Sequence, residues 1–135
     1  MKKENVVSLQ AFDETQPILG VTQFTNATGT GSQAVWASST AAYRIDNILA
    51  MNNDTIDHVV NLYLHVSGSD YLIGSANVPT GTGTAGTPAI DVLAAALPAA
   101  VVGLPIQSTN GIYAAMAVAV TSGHQVNLAA VGGQL

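Results

Sequence analysis

A chain of 135 residues is the size of one domain, and with 48% hydrophobic content it can bury roughly two thirds of its extended-chain surface in a single core. Only 8% of the residues are charged, against about 25% in an average soluble domain. The net charge of -5 leaves three cations in all, which excludes the clustered Lys and Arg that nucleic-acid phosphates require. With no cysteine, a disulfide framework, a thiolate metal site and a thiol nucleophile are excluded as well.

Residues 1–17 combine Lys2, Lys3, Glu4, Asp13 and Glu14 with the apolar Val6, Val7, Leu9 and Phe12, and read as an N-terminal arm ahead of a sandwich domain over 18–135. Glu4 to Gln16 holds Asn5, Asp13 and Glu14 and no continuous apolar run, so no export signal is expected. Ile18 to Phe24 and Gln33 to Ala37 are strand-like runs on either side of the polar, glycine-bearing loop Thr25 to Ser32. Tyr43 to Met51 and His58 to Val66 form the clearest pair, joined by Asn52 to Asp57. In the second run His58, Val60, Leu62, Leu64 and Val66 alternate with Val59, Asn61, Tyr63 and His65, the period of two that puts one face of a strand into a core. Ser67-Gly68-Ser69-Asp70 reads as a tight turn into Tyr71 to Val78, which predicts a three-strand meander.

Pro79 to Pro88 is a Gly and Thr loop whose Gly81 to Gly86 matches the G-x-G-x-x-G spacing. Prolines at both ends and the absence of any acid after Asp91 argue against a dinucleotide site, and a flexible or lattice-facing loop is expected instead. A helix is predicted over Ala89 to Leu97, with Thr87 as N-cap, Pro88 at the first position, Asp91 in the first turn and Pro98 as the stop. The most apolar run, Ala89 to Ile106, is interrupted by Asp91, Pro98 and Pro105 and reads as buried helix and loop, with no membrane partner. Asn110-Gly111 marks a turn, followed by strands at Ile112 to Val120 and Gln125 to Val131. In the first of these both faces are apolar, which predicts a core on one side and a helix or a neighbouring subunit on the other. The pattern as a whole is all-β: an antiparallel β-sandwich or jelly roll of about eight strands with one short helix.

Chemistry has little to be made from. His58 and His65 lie seven apart on one strand and project to opposite faces, so they cannot share an ion within a subunit. Asn52, Asp54 and Asp57 lack the glycine and distal Glu of a calcium loop and read as Asx residues shaping a turn. No G-x-S-x-G elbow is present, and the acids fall mostly in the arm or at turns, so neither an enzyme nor a cofactor is expected. Trp36 reads as a core or interface anchor.

Assembly is better marked. From Tyr71 to Leu135 the only charged side chain is Asp91, yet a monomer of this mass exposes roughly 6,600 Å². Much of that surface is therefore expected to face other protein. The candidate interface residues are Ile112, Ala114, Met116 and Val118, packed around an oligomer axis, and Val6, Val7, Leu9 and Phe12 of the arm, clipped to a larger shell.

The run Arg44-Ile45-Asp46-Asn47-Ile48-Leu49-Ala50-Met51-Asn52-Asn53-Asp54-Thr55, with His58 to Leu64 after it, resembles a hairpin of small virion proteins of tailed bacteriophages. Gly74 to Pro79 followed by Gly81 to Asp91 is similar to them too, and the two stretches span about half the chain. The resemblance implies a β-sandwich structural protein, commonly a homotrimer, whose post is capsid decoration or cement. A neck, tail or fibre module with receptor or glycan binding is the alternative, reading glycans through Thr25 to Ser32 and Pro79 to Pro88 with Trp36 or a tyrosine as platform. The partners so implied are further copies of the chain and a major capsid protein or other virion protein, at the capsid surface or in the host cytoplasm during assembly. No catalytic residues accompany it.

Overall fold

The computed structural model describes residues 18–37, 40–98 and 103–135. Nine strands follow one another: β1 (Ile18–Phe24), β2 (Gln33–Ala37), β3 (Tyr43–Asn52), β4 (His58–Val66), β5 (Ser69–Val78), β6 (Ile90–Asp91), β7 (Leu104–Ile106), β8 (Gly111–Met116) and β9 (Val126–Gln134). Among the described residues one α-helix, α1 (Val92–Ala96), lies between β6 and β7, and a 3-10 turn spans Asn26–Thr28. The arm residues Val6, Val7, Leu9 and Phe12 lie outside the described residues.

All strand pairs are antiparallel and they divide into two sheets. One has the order β1-β9-β3-β6, with β7 also on β3, and the other the order β2-β8-β4-β5. The pairs β4·β5, β3·β6, β2·β8 and β1·β9 are nested inside one another in sequence. They describe one long two-stranded ribbon whose tip is Ser67-Gly68, and folding it over adds the cross pairs β4·β8 and β3·β9. This connectivity is that of a jelly roll. Bulges at Ile18/Gly20, Ala34/Trp36, Ile45/Asn47 and Leu62/Tyr63 interrupt the ladders, where an unpaired residue bends and twists its strand.

The alternation seen in the sequence is realised. His58, Val60 and Leu62 of β4, Ile45, Ile48 and Ala50 of β3, and Val126, Leu128 and Ala130 of β9 point inward and are buried. Phe24, Ile106, Ile112, Ala114 and Met116 complete the space between the sheets, and Val92 and Leu93 of α1 join them. The helix packs against β3 and β5, one from each sheet, and so closes that side of the sandwich. Gly74 makes the approach possible, since a Cβ there would lie 2.8 Å from the Ala96 carbonyl oxygen. On the other side Thr22 of β1 donates from its hydroxyl to the Ala34 carbonyl of β2 at 2.7 Å, tying the two sheets together.

Several expected pairings are corrected. β3 and β4 belong to different sheets, so Asn53 to Asp57 is a corner and not a hairpin, and the three-strand meander reduces to the β4·β5 hairpin alone. β8 and β9 likewise part into different sheets, and β8 stops at Met116 where Val120 was expected. The helix begins at Val92, with Asp91 as its N-cap accepting from Leu93 N and Ala94 N at 3.1 and 3.3 Å. Pairing with β3 holds Ile90 and Asp91 extended, which moves the helix start past Pro88.

Turn chemistry is accurate at the ribbon tip. Ser67 and Gly68 both have positive φ, 51° and 81°, as a two-residue turn with the twist of its flanking strands demands. Gly68→Ala is expected to cost about 1–2 kcal/mol through the left-handed backbone. A thermal melt followed by circular dichroism would show a lower midpoint with an unchanged folded baseline.

Candidate functional site

The densest polar constellation lies at the corner between β3 and β4. β3 ends in the buried Asn52, whose amide donates to the carbonyls of Ile56 and Val78, each at 3.0 Å. Its Oδ1 accepts from Asp54 N at 2.8 Å and so turns the chain out of the first sheet. Asp54 then points inward and accepts from Thr55 N at 2.6 Å, from Thr121 N at 2.8 Å and from His58 Nε2 at 2.7 Å. Thr80 donates from its hydroxyl to the Asp54 carbonyl and from its N–H to Asp57 Oδ1 at 2.9 Å. The corner thereby ties β3, β4, the segment after β5 and the β8–β9 connection into one network.

Burial alone would push the Asp54 carboxyl up. The hydrogen bonds from the Thr121 N–H, from His58, from the Thr121 hydroxyl and from the Thr55 N–H outweigh it and hold the carboxyl far below the usual range. Both side chains of the Asp54–His58 pair are 0% exposed, so no substrate touches them. His58 Nδ1, on the other side of the ring, is buried with no hydrogen-bond partner. The pair is a joint, not a reaction centre. One signal could have revealed it: His58 falls on the apolar face of β4, where an imidazole needs a polar partner, and Asp54 is the acid four residues before it.

A second pair lies nearer the surface, where His65 Nδ1 is 2.6 Å from Asp70 Oδ1 and the Ser32 hydroxyl donates to Asp70 Oδ2 at 2.7 Å. The hydrogen bond from His65, then that from Ser32, hold the Asp70 carboxyl below its usual range. The order is serine, acid, histidine: the hydroxyl faces the carboxylate and not the imidazole, so the base of a hydrolytic triad is not in place to activate it. The His65 ring is stacked on Tyr113 with centroids 4.0 Å apart. Among the described residues no group of three His, Asp or Glu side chains could hold a metal ion.

Each of the six described Asp and Arg residues is engaged within the subunit. Arg44 Nε donates to Asp46 at 2.8 Å, Asp54 and Asp70 are held as above, and Asp57 takes the Thr80 N–H. Asp91 caps α1 and also accepts from Ile48 N and the Asn47 amide at 3.0 and 2.7 Å. On the outside of the five-stranded sheet, Val21, Ala129 and Leu49 lie in one row across three strands, with Val21 63% and Leu49 38% exposed. On the outside of the other sheet Ala34, Tyr113, Tyr63 and Leu72 form a corresponding row.

Of the expected interface residues, Ile112, Ala114 and Met116 are spent inside the subunit: all three are buried between the sheets and offer no side-chain surface to a partner. Val118 is different. It follows β8, next to Ala117 whose N–H donates to the Val59 carbonyl at 3.0 Å, and is 59% exposed. Trp36 is partly buried, packs against the core and meets Tyr43 edge-on at 4.8 Å, an anchor's position. The Pro79 to Pro88 loop is pinned to β3 by Asn52 N to Thr82 O and Gly81 N to Asn52 O, both 2.9 Å, and closed by Gly83 N to Pro88 O at 3.2 Å. The expected flexible loop is thus a sequence of hydrogen-bonded turns, with Gly83 set against Met51.

One surface cleft, of about 480 Å³, opens between Thr25, Asn26 and Ala27 and the turn Ser122, Gly123, His124 and Gln125. Its walls are held from behind. Asn26 donates its amide to the Val120 carbonyl at 3.0 Å, His124 Nδ1 lies 2.9 Å from the Asn53 carbonyl, and Gln125 N donates to Asn53 Oδ1 at 2.7 Å. Of the two loops named from the sequence, the start of Thr25 to Ser32 forms one wall of this cleft and Pro79 to Pro88 takes no part in it. Comparison of the chain with protein-family models, with curated proteins and with solved structures gave no match.

Proposed function

We propose that this chain is a structural virion protein of a tailed phage, a decoration or cement protein that stabilises the capsid by packing as a homo-oligomer, a trimer, on its surface. The observation that carries the reading is the disposition of charge. The described ionised side chains are turned to internal hydrogen bonds, and both sheet faces present apolar rows to the outside. A surface of this kind gains by being covered, since apolar area removed from water contributes about 25 cal/mol per Å². Standard specific interfaces bury about 1,600 Å² in total, and a decoration protein works by adding such area between neighbouring capsomers. The jelly roll supports the reading only as a fold that capsid proteins share with lectins and other proteins.

A post in the neck, tail or fibre is the second reading, and a cleft lined by Thr, Asn, Ser, His and Gln favours it. Occupancy separates the two: many copies per particle for decoration, few for an appendage. The assembly reading is tested by sizing the purified chain and by sedimenting it with particles. The full chain is expected to run as an oligomer and to co-sediment. Deleting residues 2–16 should abolish attachment with the sandwich still folded. Val118→Asp, a charge on an exposed apolar position, should weaken assembly or attachment by about tenfold or more, equivalent to 1.4 kcal/mol, at an unchanged melting temperature. A stable monomer with no affinity for particles would overturn the proposal.

A further inference from the structure

We propose that the cleft between Thr25–Ala27 and Ser122–Gln125 binds a neutral polyhydroxylated ligand, the sugar rings of an uncharged glycan. The chemistry of the lining selects this class. Among the described residues no Asp, Glu, Lys or Arg side chain lines the cleft, so a phosphate, sulfate or carboxylate would meet no Lys or Arg, and an ammonium no carboxylate. No apolar side chain larger than the Ala27 methyl lines it either, so a lipid tail or an aromatic ring would gain little by entering.

What remains is a set of hydrogen-bonding groups whose directions are already fixed. The Asn26 amide nitrogen is committed to Val120, which leaves Oδ1 as an acceptor. A carbonyl only accepts, so His124 Nδ1 carries the proton it donates to Asn53, and Nε2 is the ring atom left for a ligand. Gln23 donates its amide to Gln125 Oε1, which leaves the Gln125 amide nitrogen as a donor. Ser122 and Thr25 add hydroxyls that act either way. Neighbouring sugar hydroxyls each donate and accept, and so match a wall of mixed donors and acceptors that an anion or a cation would satisfy only in part.

The wall is also built in advance. The Thr25 to Thr28 turn closes through Thr28 N to Thr25 O at 3.1 Å and Thr25 N to the Thr28 hydroxyl at 2.9 Å, and the opposite turn through His124 N to Thr121 O at 3.0 Å. Fixed donors and acceptors spare a ligand the cost of ordering them. The volume of about 480 Å³ lies within the usual span of ligand sites, about 300–1,000 Å³. With no Trp, Tyr or Phe ring among the lining residues to stack on, a single site should be weak, with a dissociation constant of about 1 mM, and repeated copies on an assembly would supply avidity. The site does not depend on the shell-packing reading, because the cleft belongs to one subunit.

The test is an amide NMR titration of the full chain with glucose, galactose, N-acetylglucosamine and their neutral oligosaccharides, and with sialyllactose as an acidic probe. At least one neutral sugar is expected to give saturable shifts confined to 25–28 and 121–125, with sialyllactose no better than lactose. Ala27→Tyr fills the cleft without removing any of the hydrogen bonds above, and His124→Ala removes the ring nitrogen left for a ligand. Each should weaken binding about tenfold or more, equivalent to 1.4 kcal/mol, and the Ala27→Tyr protein should melt as the parent does. No saturable shift in either segment, shifts from the acidic sugar alone, or undiminished binding by Ala27→Tyr would overturn the proposal, whatever the result of particle sedimentation.

Discussion

Replacing Asp54 with alanine is expected to remove about 3 kcal/mol or more of stability, because each buried donor left without its acceptor costs about 1–3 kcal/mol, out of the roughly 5–15 kcal/mol that hold a domain folded. The carboxylate takes hydrogen bonds from His58, Thr55 and Thr121, and its loss strands the His58 donor where water does not reach and leaves the two part-buried N–H groups without their acceptor. Asp54→Asn keeps the shape but replaces one acceptor oxygen with a donor, so a smaller loss is expected. Urea denaturation would measure both, and a change below about 0.5 kcal/mol for the alanine variant, the range of an ordinary surface substitution, would show that the corner is held by something else. Acid should imitate the mutation. Because the folded carboxyl is held far below the unfolded value of about 3.9, its contribution is complete above that pH and is lost as the pH falls toward the folded value. The parent's urea midpoint is therefore expected to drop steeply below about pH 4, and that of Asp54→Asn to change less. Asp70 titrates in the same direction, but it is partly exposed and solvent screens its pairing with His65.

Gly132→Ala is expected to be at least as damaging. Gly132 sits in β9 opposite Ile45, beside the bulge at Ile45/Asn47, and a Cβ there would come 2.0 Å from the Arg44 carbonyl oxygen and 3.0 Å from its carbon. The obstacle is main chain, so relief requires β3 to move away from β9. Overpacking a core costs about 1–3 kcal/mol where side chains can give way, and here the expected loss reaches or exceeds the top of that range. Gly31→Ala is the control, since its Cβ would meet only the Thr28 carbonyl at an ordinary 3.5 Å. The control should express and melt as the parent does, and Gly132→Ala should lose most of its soluble yield or its cooperative transition. Equal melting temperatures for the two would refute the argument from space.

Alternation made the strands legible, and the turn residues located the reversals, but pairing was legible at only one of them. Ser67-Gly68 demands positive φ at both positions and so fixes a hairpin within one sheet. Asn52 to Asp57 looks equally turn-like, yet Asn52 and Asp54 spend their side chains on bonds that carry the chain into the other sheet. Those bonds end on Val78 and Thr121, far along the sequence, where no local pattern records them. The apolar character of Ile112, Ala114 and Met116 was equally visible, but composition does not say whether a face is covered by the subunit's own second sheet or by another subunit. Val118 remained outside because β8 ends two residues before it. Of the cleft only one wall, the start of Thr25 to Ser32, was legible: the cleft joins turns almost a hundred residues apart, and its residues are common loop residues.

The nested ribbon has a consequence for the route to the folded state. Its tip pair closes a loop of two residues, whereas its last pair, β1·β9, joins Phe24 to Val126 across most of the chain. Closure entropy rises with separation, so the innermost rung is expected to form first and the outermost last, and a topology so rich in distant partners is expected to fold in milliseconds to seconds, not microseconds. Until that last rung closes, the edge of β9 that pairs with β1 stays open. Nascent chains are therefore most open to mispairing with one another just before completion, and dilution or slow synthesis should raise the yield of correctly folded protein.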